Sequence, residues 1–313
     1  MKQASETSNT RISRLQGALP GVLDDLAVLA FDGPDAVPFA QAQLAADVAT
    51  LPVAHWMWAA LLSPQGRVLG FGPLLRPTDQ RLLWIVPVSR RDALLAALQR
   101  FVLRRKVALS AAPFTLEGHA GGPPTPVPHA SGALADRPDG WRLALGGVGG
   151  RWLDIASVPA GDAAPIDRSA AEAWRAFDVL DALPRIEDAA VDAFTAHALA
   201  LQRVAAFSTG KGCYPGQEIV ARTHFLGRNK RGPRVGWLPA GGALPAPGSR
   251  WLADDAAPGG ETMAETVQAA MTPAGVALLL VAREDAPAQL RQGEAVARFD
   301  PLPGAGADAA KML

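Results

Sequence analysis

A chain of 313 residues with 49% hydrophobic content can bury one large core or two to three smaller ones, which excludes a disordered tail as its class. Thirty Lys+Arg balance thirty Asp+Glu, so no global charge draws the protein to nucleic acid or to an anionic membrane, and any such binding has to be local. The single cysteine excludes an internal disulfide framework and an all-cysteine metal or cluster site within one chain, which suits a reducing cytoplasm.

Residues 1–16 are polar and mixed in charge, lack the apolar stretch of a secretory signal and are expected as a mobile arm. Residues 26–31 read as a strand entering the Asp32-Gly33-Pro34 turn, after which Asp35 can cap a helix carrying Phe39, Leu44 and Val48. Three apolar runs, 56–62, 68–75 and 82–86, separated by turn residues, predict an antiparallel meander. Ser89 with Asp92 resembles a capping box before a helix through Leu94, Leu98 and Val102. This order argues for α+β layering with helices on one side of a sheet.

Residues 113–138, rich in proline and glycine, read as a connector or a loop-rich passage of a second α+β unit. The Gly146–Gly150 cluster does not complete a dinucleotide fingerprint and reads as a turn between strands. Ser169-Ala170-Ala171-Glu172 starts a helix expected to run to Leu183, stopped by Pro184. On it Trp174, Asp178 and Asp181 form a stripe. That stripe fits either a flat hydrogen-bonding heterocycle or a core tryptophan beside solvated acids. The alanine-rich segment 188–206 is helical on propensity.

Lys211-Gly212-Cys213-Tyr214-Pro215-Gly216-Gln217-Glu218 places the chain's only cysteine beside its only tyrosine between glycines. Ahead of a segment that can open a helix, and near Lys211, the thiol tends towards thiolate; the alternative is a tight loop with an inert cysteine. Arg222, His224, Arg228, Lys230 and Arg231 follow, either as a solvated surface or as a hold for a carboxylate-bearing ligand. From Val235 on, short strands with frequent Pro/Gly breaks predict a small β-barrel. Its strongest apolar run, 276–282, is too short to span a bilayer. The five histidines are scattered, and no metal site is built from Cys213 and His224.

The segment 211–222 resembles the signature of the YgfZ family, folate-binding proteins related in fold to the glycine-cleavage T-protein, an aminomethyltransferase. The K-G-C-Y-x-G-Q-E match is complete. Residues 31–48, the Pro64–Arg67 hairpin, residues 101–107, Trp174 ten residues before Pro184, and residues 299–303 resemble family blocks in the same order. Departures are Ala42 and Ala45 in the Q-G-Q-x-T block, Asp181 for a glutamate, Ala196-His197-Ala198-Leu199-Ala200 for P-Q-x-x-N, and Leu26 for a second tryptophan.

The resemblance implies an α+β, T-protein-like fold: two α+β units with antiparallel sheets and a C-terminal barrel around a central cavity. The expected division is an arm at 1–20, units at 21–112 and 113–232, the barrel at 233–303 and a tail at 304–313. It further implies a cytoplasmic monomer that binds tetrahydrofolate through Trp174, Asp178 and Asp181, with Arg222 or Arg231 near the glutamate tail. Its partners would be iron–sulfur client proteins, including a tRNA-modifying enzyme, reached through Cys213 with Lys211, without direct nucleic-acid binding. The motif residues Gly212, Tyr214, Gly216, Gln217, Glu218 and Arg222 would frame that thiol. Two alternatives remain: a folate-dependent aminomethyltransferase using Asp47, and a binding module that has lost folate.

Overall fold

The computed structural model describes residues 8–157, 168–227, 230–241, 243–254 and 260–300. The chain opens with α1 (Ser8–Gln16) and β1 (Gly21–Val22), then β2 (Leu26–Asp32), α2 (Ala36–Gln43), β3 (His55–Leu62), β4 (Val68–Thr78), β5 (Arg81–Pro87) and α3 (Arg91–Gln99). There follow β6 (Ala108–Ala112), β7 (Phe114–His119), β8 (Ser131–Arg137), β9 (Gly140–Gly146), β10 (Arg151–Ser157), α4 (Arg168–Leu180) and α5 (Gln217–Leu226). The last strands are β11 (Arg231–Leu238), β12 (Arg250–Ala253), β13 (Ala264–Thr272), β14 (Gly275–Arg283), β15 (Gln289–Gln292) and β16 (Ala295–Asp300).

Strands β1 to β10 form one ten-stranded sheet in the order β1-β7-β10-β9-β8-β3-β4-β5-β2-β6. The meander β3-β4-β5 meets the second group of strands where β3 pairs antiparallel with β8, His55 opposite Ala133. Alternation along β2 sorts side chains to the two faces. Leu29 and Phe31 enter a core with Phe39, Trp84, Leu94 and Leu98 under α2 and α3. Val28 and Ala30 enter the larger core, which holds Trp56, Trp58, Phe71, Trp174 and Phe177 and continues to Val267 and Leu279 of the barrel. The barrel is closed in the order β11-β14-β13-β12-β15-β16, with residues 276–282 of β14 all buried. Closure removes the unpaired strand edges that short β-segments otherwise expose. No helix among the described residues is long and apolar enough to cross a membrane.

Several local expectations are corrected. Residues 8–16 are a helix rather than an arm: Leu15 is buried and Gln16 Nε2 donates to Gly149 O. Asp35 and Ser89 do not cap their helices. Asp35 Oδ2 accepts the Lys106 N–H at 2.7 Å, and Ser89 Oγ donates to Glu187 at 2.8 Å. The segment 188–206 is not an α-helix; it is a run of turns with 3-10 pieces at Asp188–Ala190 and Leu201–Val204. Its backbone is drawn onto β4, with Val68 N donating to Phe194 O and Asp192 N to Val68 O. Ala190, Ala196, Ala198, Ala200 and Ala206 are buried. Here alanine serves close packing, and tertiary contacts override its helix propensity. Residues 301–303 and Arg228 lie outside the described residues.

Candidate functional site

The segment carrying the cysteine joins the 3-10 turn at Leu201–Val204 to α5, and the side chains around the thiol point inward. Lys211 is buried, and its Nζ donates to Gln41 O, Leu44 O and Ala46 O at 2.6, 2.6 and 2.7 Å. Gln41 and Leu44 sit at the C-terminal end of α2, where a helix leaves acceptors unpaired, and Ala46 follows it. Burial pushes the Lys211 ammonium down to about 8, with Asp47 opposing. All three protons of the charged form have acceptors, and a neutral amine would leave one carbonyl bare. Its donors are therefore directed at α2 and the residues that follow it, which gives Lys211 an anchoring role.

Tyr214 is buried, its OH donates to Ser208 O at 2.8 Å, and the Lys211 Nζ lies 5.0 Å from its ring centroid. Burial pushes this phenol up to about 12, so it stays a neutral donor. Gln217 Nε2 closes the loop onto Lys211 O at 3.1 Å. Gly216 has φ +80°, and a Cβ there would stand 2.5 Å from Ser63 O and 2.9 Å from Gly66 Cα. Only glycine permits this backbone approach to the β3–β4 turn. Asp47 belongs to the same neighbourhood, accepting the Gln41 Nε2 proton at 2.8 Å.

What remains outward is Gly212, Cys213, Glu218 and Arg222, all exposed. Gly212 has no positive φ, and a Cβ added to it would meet nothing within 4 Å. Among the described residues, nothing requires a glycine beside the thiol. At the far end of α5, Phe225 and Leu226 are also exposed, 67% and 85%.

The Trp174 stripe is built in the opposite sense. Arg151, at the start of β10 and fully buried in its side chain, donates Nη1 to Asp178 Oδ1 and Nη2 to Asp181 Oδ2, both at 2.7 Å. Its guanidinium lies 4.5 Å from the Trp174 ring centroid. Asp181 Oδ1 accepts the Val148 N–H at 2.8 Å. Burial pushes the Asp181 carboxyl up against the pull of Arg151 and of that N–H. Asp178 Oδ2 accepts Arg185 Nε at 2.9 Å. Arg185 Nη1 and Arg175 Nε both reach Asp25, and Arg175 Nη1 reaches Glu187 at 3.0 Å.

Trp174, Asp178 and Asp181 are thus together, as the sequence suggested, but arginines take the places expected for a pterin edge. The cavity beside Trp174, Asp178 and Arg185 measures about 50 Å³. That admits a water or two and no bicyclic ring. With one indole face under Arg151 and both Asp181 oxygens engaged, these residues do not fit tetrahydrofolate. Arg231 is elsewhere, on β11, paired with Glu265 at 2.8 Å. Sequence reasoning missed Arg151 and Arg185. The available signal was the stripe itself, because two acids on the buried face of a helix call for cations.

Among the described residues, Glu117, His119 and Asp154 lie close enough to hold a cation. However, Asp154 already pairs with Arg142 at 2.6 Å and Arg137 at 3.2 Å, which balances its charge without a metal.

No protein-family model matches the chain. It is similar to a curated protein of Sodalis glossinidius named tRNA-modifying protein YgfZ, 30% identical over 224 residues, covering 67% of this chain and 68% of the relative. Proteins of the same name from Klebsiella pneumoniae and Yersinia enterocolitica are 30% and 29% identical, over 67% and 72% of this chain. The crystal structure of glycine cleavage system aminomethyltransferase T from Bartonella henselae superposes with a TM-score of 0.63 over 93% of this chain and 89% of that one, at 15% identity. That likeness establishes a shared fold. Identity of 30% sustained over two thirds of both sequences goes further, and it makes this chain a member of the YgfZ family.

Proposed function

We propose that this protein is an accessory factor for tRNA-modifying enzymes that contain iron–sulfur clusters, acting on a partner protein through Cys213. The relatives' name supports the tRNA-modification part of this reading; the iron–sulfur part follows from the signature at 211–222. One observation carries the role of the thiol. Lys211, Tyr214, Gly216 and Gln217 all hold the loop from inside, while the exposed Cys213 stands beside a glycine that the chain's own packing does not require. Room left at Gly212 suits the close approach of another backbone. Phe225 and Leu226 add exposed apolar surface on the helix the loop opens into.

In this reading the Cys213 thiolate attacks a disulfide sulfur of the client, forming a mixed disulfide and releasing the client's other thiolate. The setting is a reducing cytoplasm. Complementation tests it: in a strain lacking this protein, Cys213→Ser leaves iron–sulfur enzyme activity and tRNA modification at the level of the deletion. Full restoration by that variant refutes the thiol role.

A second reading concerns folate. The Arg151 guanidinium over Trp174 favours a module that holds no tetrahydrofolate at Trp174, Asp178 and Asp181, although the signature implies folate. Tryptophan fluorescence then stays flat on titration with tetrahydrofolate, and a saturable change restores the folate-binding reading. Asp47 is paired with Gln41 near Lys211, and no methylene-tetrahydrofolate is expected from an aminomethyl donor.

A further inference from the structure

The turn between α3 and β6 reads Arg100-Phe101-Val102-Leu103-Arg104-Arg105-Lys106. All four cations are exposed, and among the described residues none of their side chains makes a hydrogen bond or an ion pair. Phe101 is 52% and Leu103 87% exposed. The turn is nonetheless ordered. Phe101 N, Val102 N and Arg105 N donate to Leu98 O, Gln99 O and Val102 O, Leu103 is held at φ +44°, and the Lys106 N–H is fixed by Asp35 at 2.7 Å. Between this turn and α2 runs a groove of about 680 Å³, lined by Phe39, Ala42 and Gln43 of α2 and by Phe101, Leu103 and the two arginines 104 and 105.

We infer that this groove binds an unpaired segment of RNA. Exposed apolar side chains, Phe101 and Leu103, beside two guanidinium groups match the two halves of a nucleotide, a flat base and an anionic phosphate. An exposed ring beside arginines stacks bases irrespective of sequence. The Gln43 amide can both donate and accept at a base edge. Three of the four cations are arginines, whose forked donors suit phosphate oxygens. A protein interface needs a wide apolar centre, whereas here two apolar side chains stand inside a rim of one sign. The zero net charge of the chain confines the attraction to this patch. Its position ties it to the cysteine loop, because Lys211 grips Gln41 and Leu44 on either side of the groove's Ala42 and Gln43. The inference does not depend on thiol chemistry.

The test is fluorescence anisotropy of the full chain with labelled unfractionated tRNA and labelled oligouridylate. Wild type binds both at low salt, with log K falling against log salt at a slope of about −2 to −3, as three or four phosphate contacts require. Arg104→Glu with Arg105→Glu weakens binding at least tenfold and flattens that slope. Phe101→Ala weakens it several-fold at unchanged slope, and Cys213→Ser binds as wild type, which separates this site from the thiol reading. The inference is overturned if wild type binds neither RNA at low salt, or if the double charge reversal binds normally. Binding of polyglutamate or of phosphatidylglycerol vesicles without RNA overturns it in favour of an acidic protein or a membrane.

Discussion

The Cys213 loop and the Trp174 helix draw on similar residue types and use them in opposite ways. In the loop, an ammonium, a phenol and an amide turn inward to backbone carbonyls and leave a thiol in solvent. On the helix, two carboxylates and an indole meet the Arg151 guanidinium, so the polar groups close on one another. The difference teaches that a residue type suggests ligand chemistry only while its neighbours leave a hydrogen bond or a charge unmatched.

The largest effect should come from breaking the closed cluster. Arg151→Met leaves Asp181 buried without a cation and Asp178 with Arg185 alone, and removing one member of a buried ion pair costs roughly 3–5 kcal/mol. Denaturant unfolding should show that loss, and adding Asp178→Asn and Asp181→Asn should recover part of it. A midpoint unchanged by Arg151→Met alone would mean that the arginine does not close this region. Next in size is Lys211→Met, which removes a donor shared by three carbonyls, two of them in buried contacts, and should cost about 2–3 kcal/mol. Cys213→Ser, at an exposed position, should stay within about 0.5 kcal/mol while abolishing complementation. Equal stability losses for the two would erase the contrast between anchor and thiol.

A smaller effect tests the packing behind the loop. His197 is buried against Phe207, ring centroids 4.8 Å apart, with His224 at 6.2 Å. Burial first, then His224, pushes its imidazole down to about 4 from the usual 6.5. The unfolded chain therefore takes up this proton as pH falls below about 6.5, while the folded chain stays neutral until about 4. Stability from this group is full above 6.5 and is lost progressively between 6.5 and 4. Thermal melts from pH 7 to 4 should show the decline, and His197→Gln should flatten it; an identical decline in the variant would place its source elsewhere.

Much of the fold was legible because its signals are local. The meander strands, the glycine turn before β10 and the apolar run of β14 follow from periodicity and turn residues. Residues 188–206 were not legible, because the contacts that turn them away from a helix come from β4, distant in sequence. In the barrel, β13 carries a weaker local signal than β14, because a register shift between Thr266 and Gln268 breaks the alternation that announces a strand. At the site, Cys213 could be singled out by its glycine frame. Arg151 could not, since nothing local distinguishes an arginine that will be buried beside a distant helix from one in solvent.

Two glycines four residues apart sharpen the comparison most finely. Gly216→Ala forces a side chain into φ +80° and to within 2.5 Å of Ser63 O, so it should destabilise by roughly 1–3 kcal/mol and disturb the loop for structural reasons. Gly212→Ala meets neither obstacle, and by restricting the unfolded chain it should leave stability unchanged or raise it by a few tenths of a kcal/mol. If Gly212 exists to admit a partner to Cys213, the added methyl group should still reduce complementation in a protein that melts normally. A Gly212→Ala protein that complements fully would show that the space beside the thiol is incidental, and the case for Cys213 would then rest on its exposure alone.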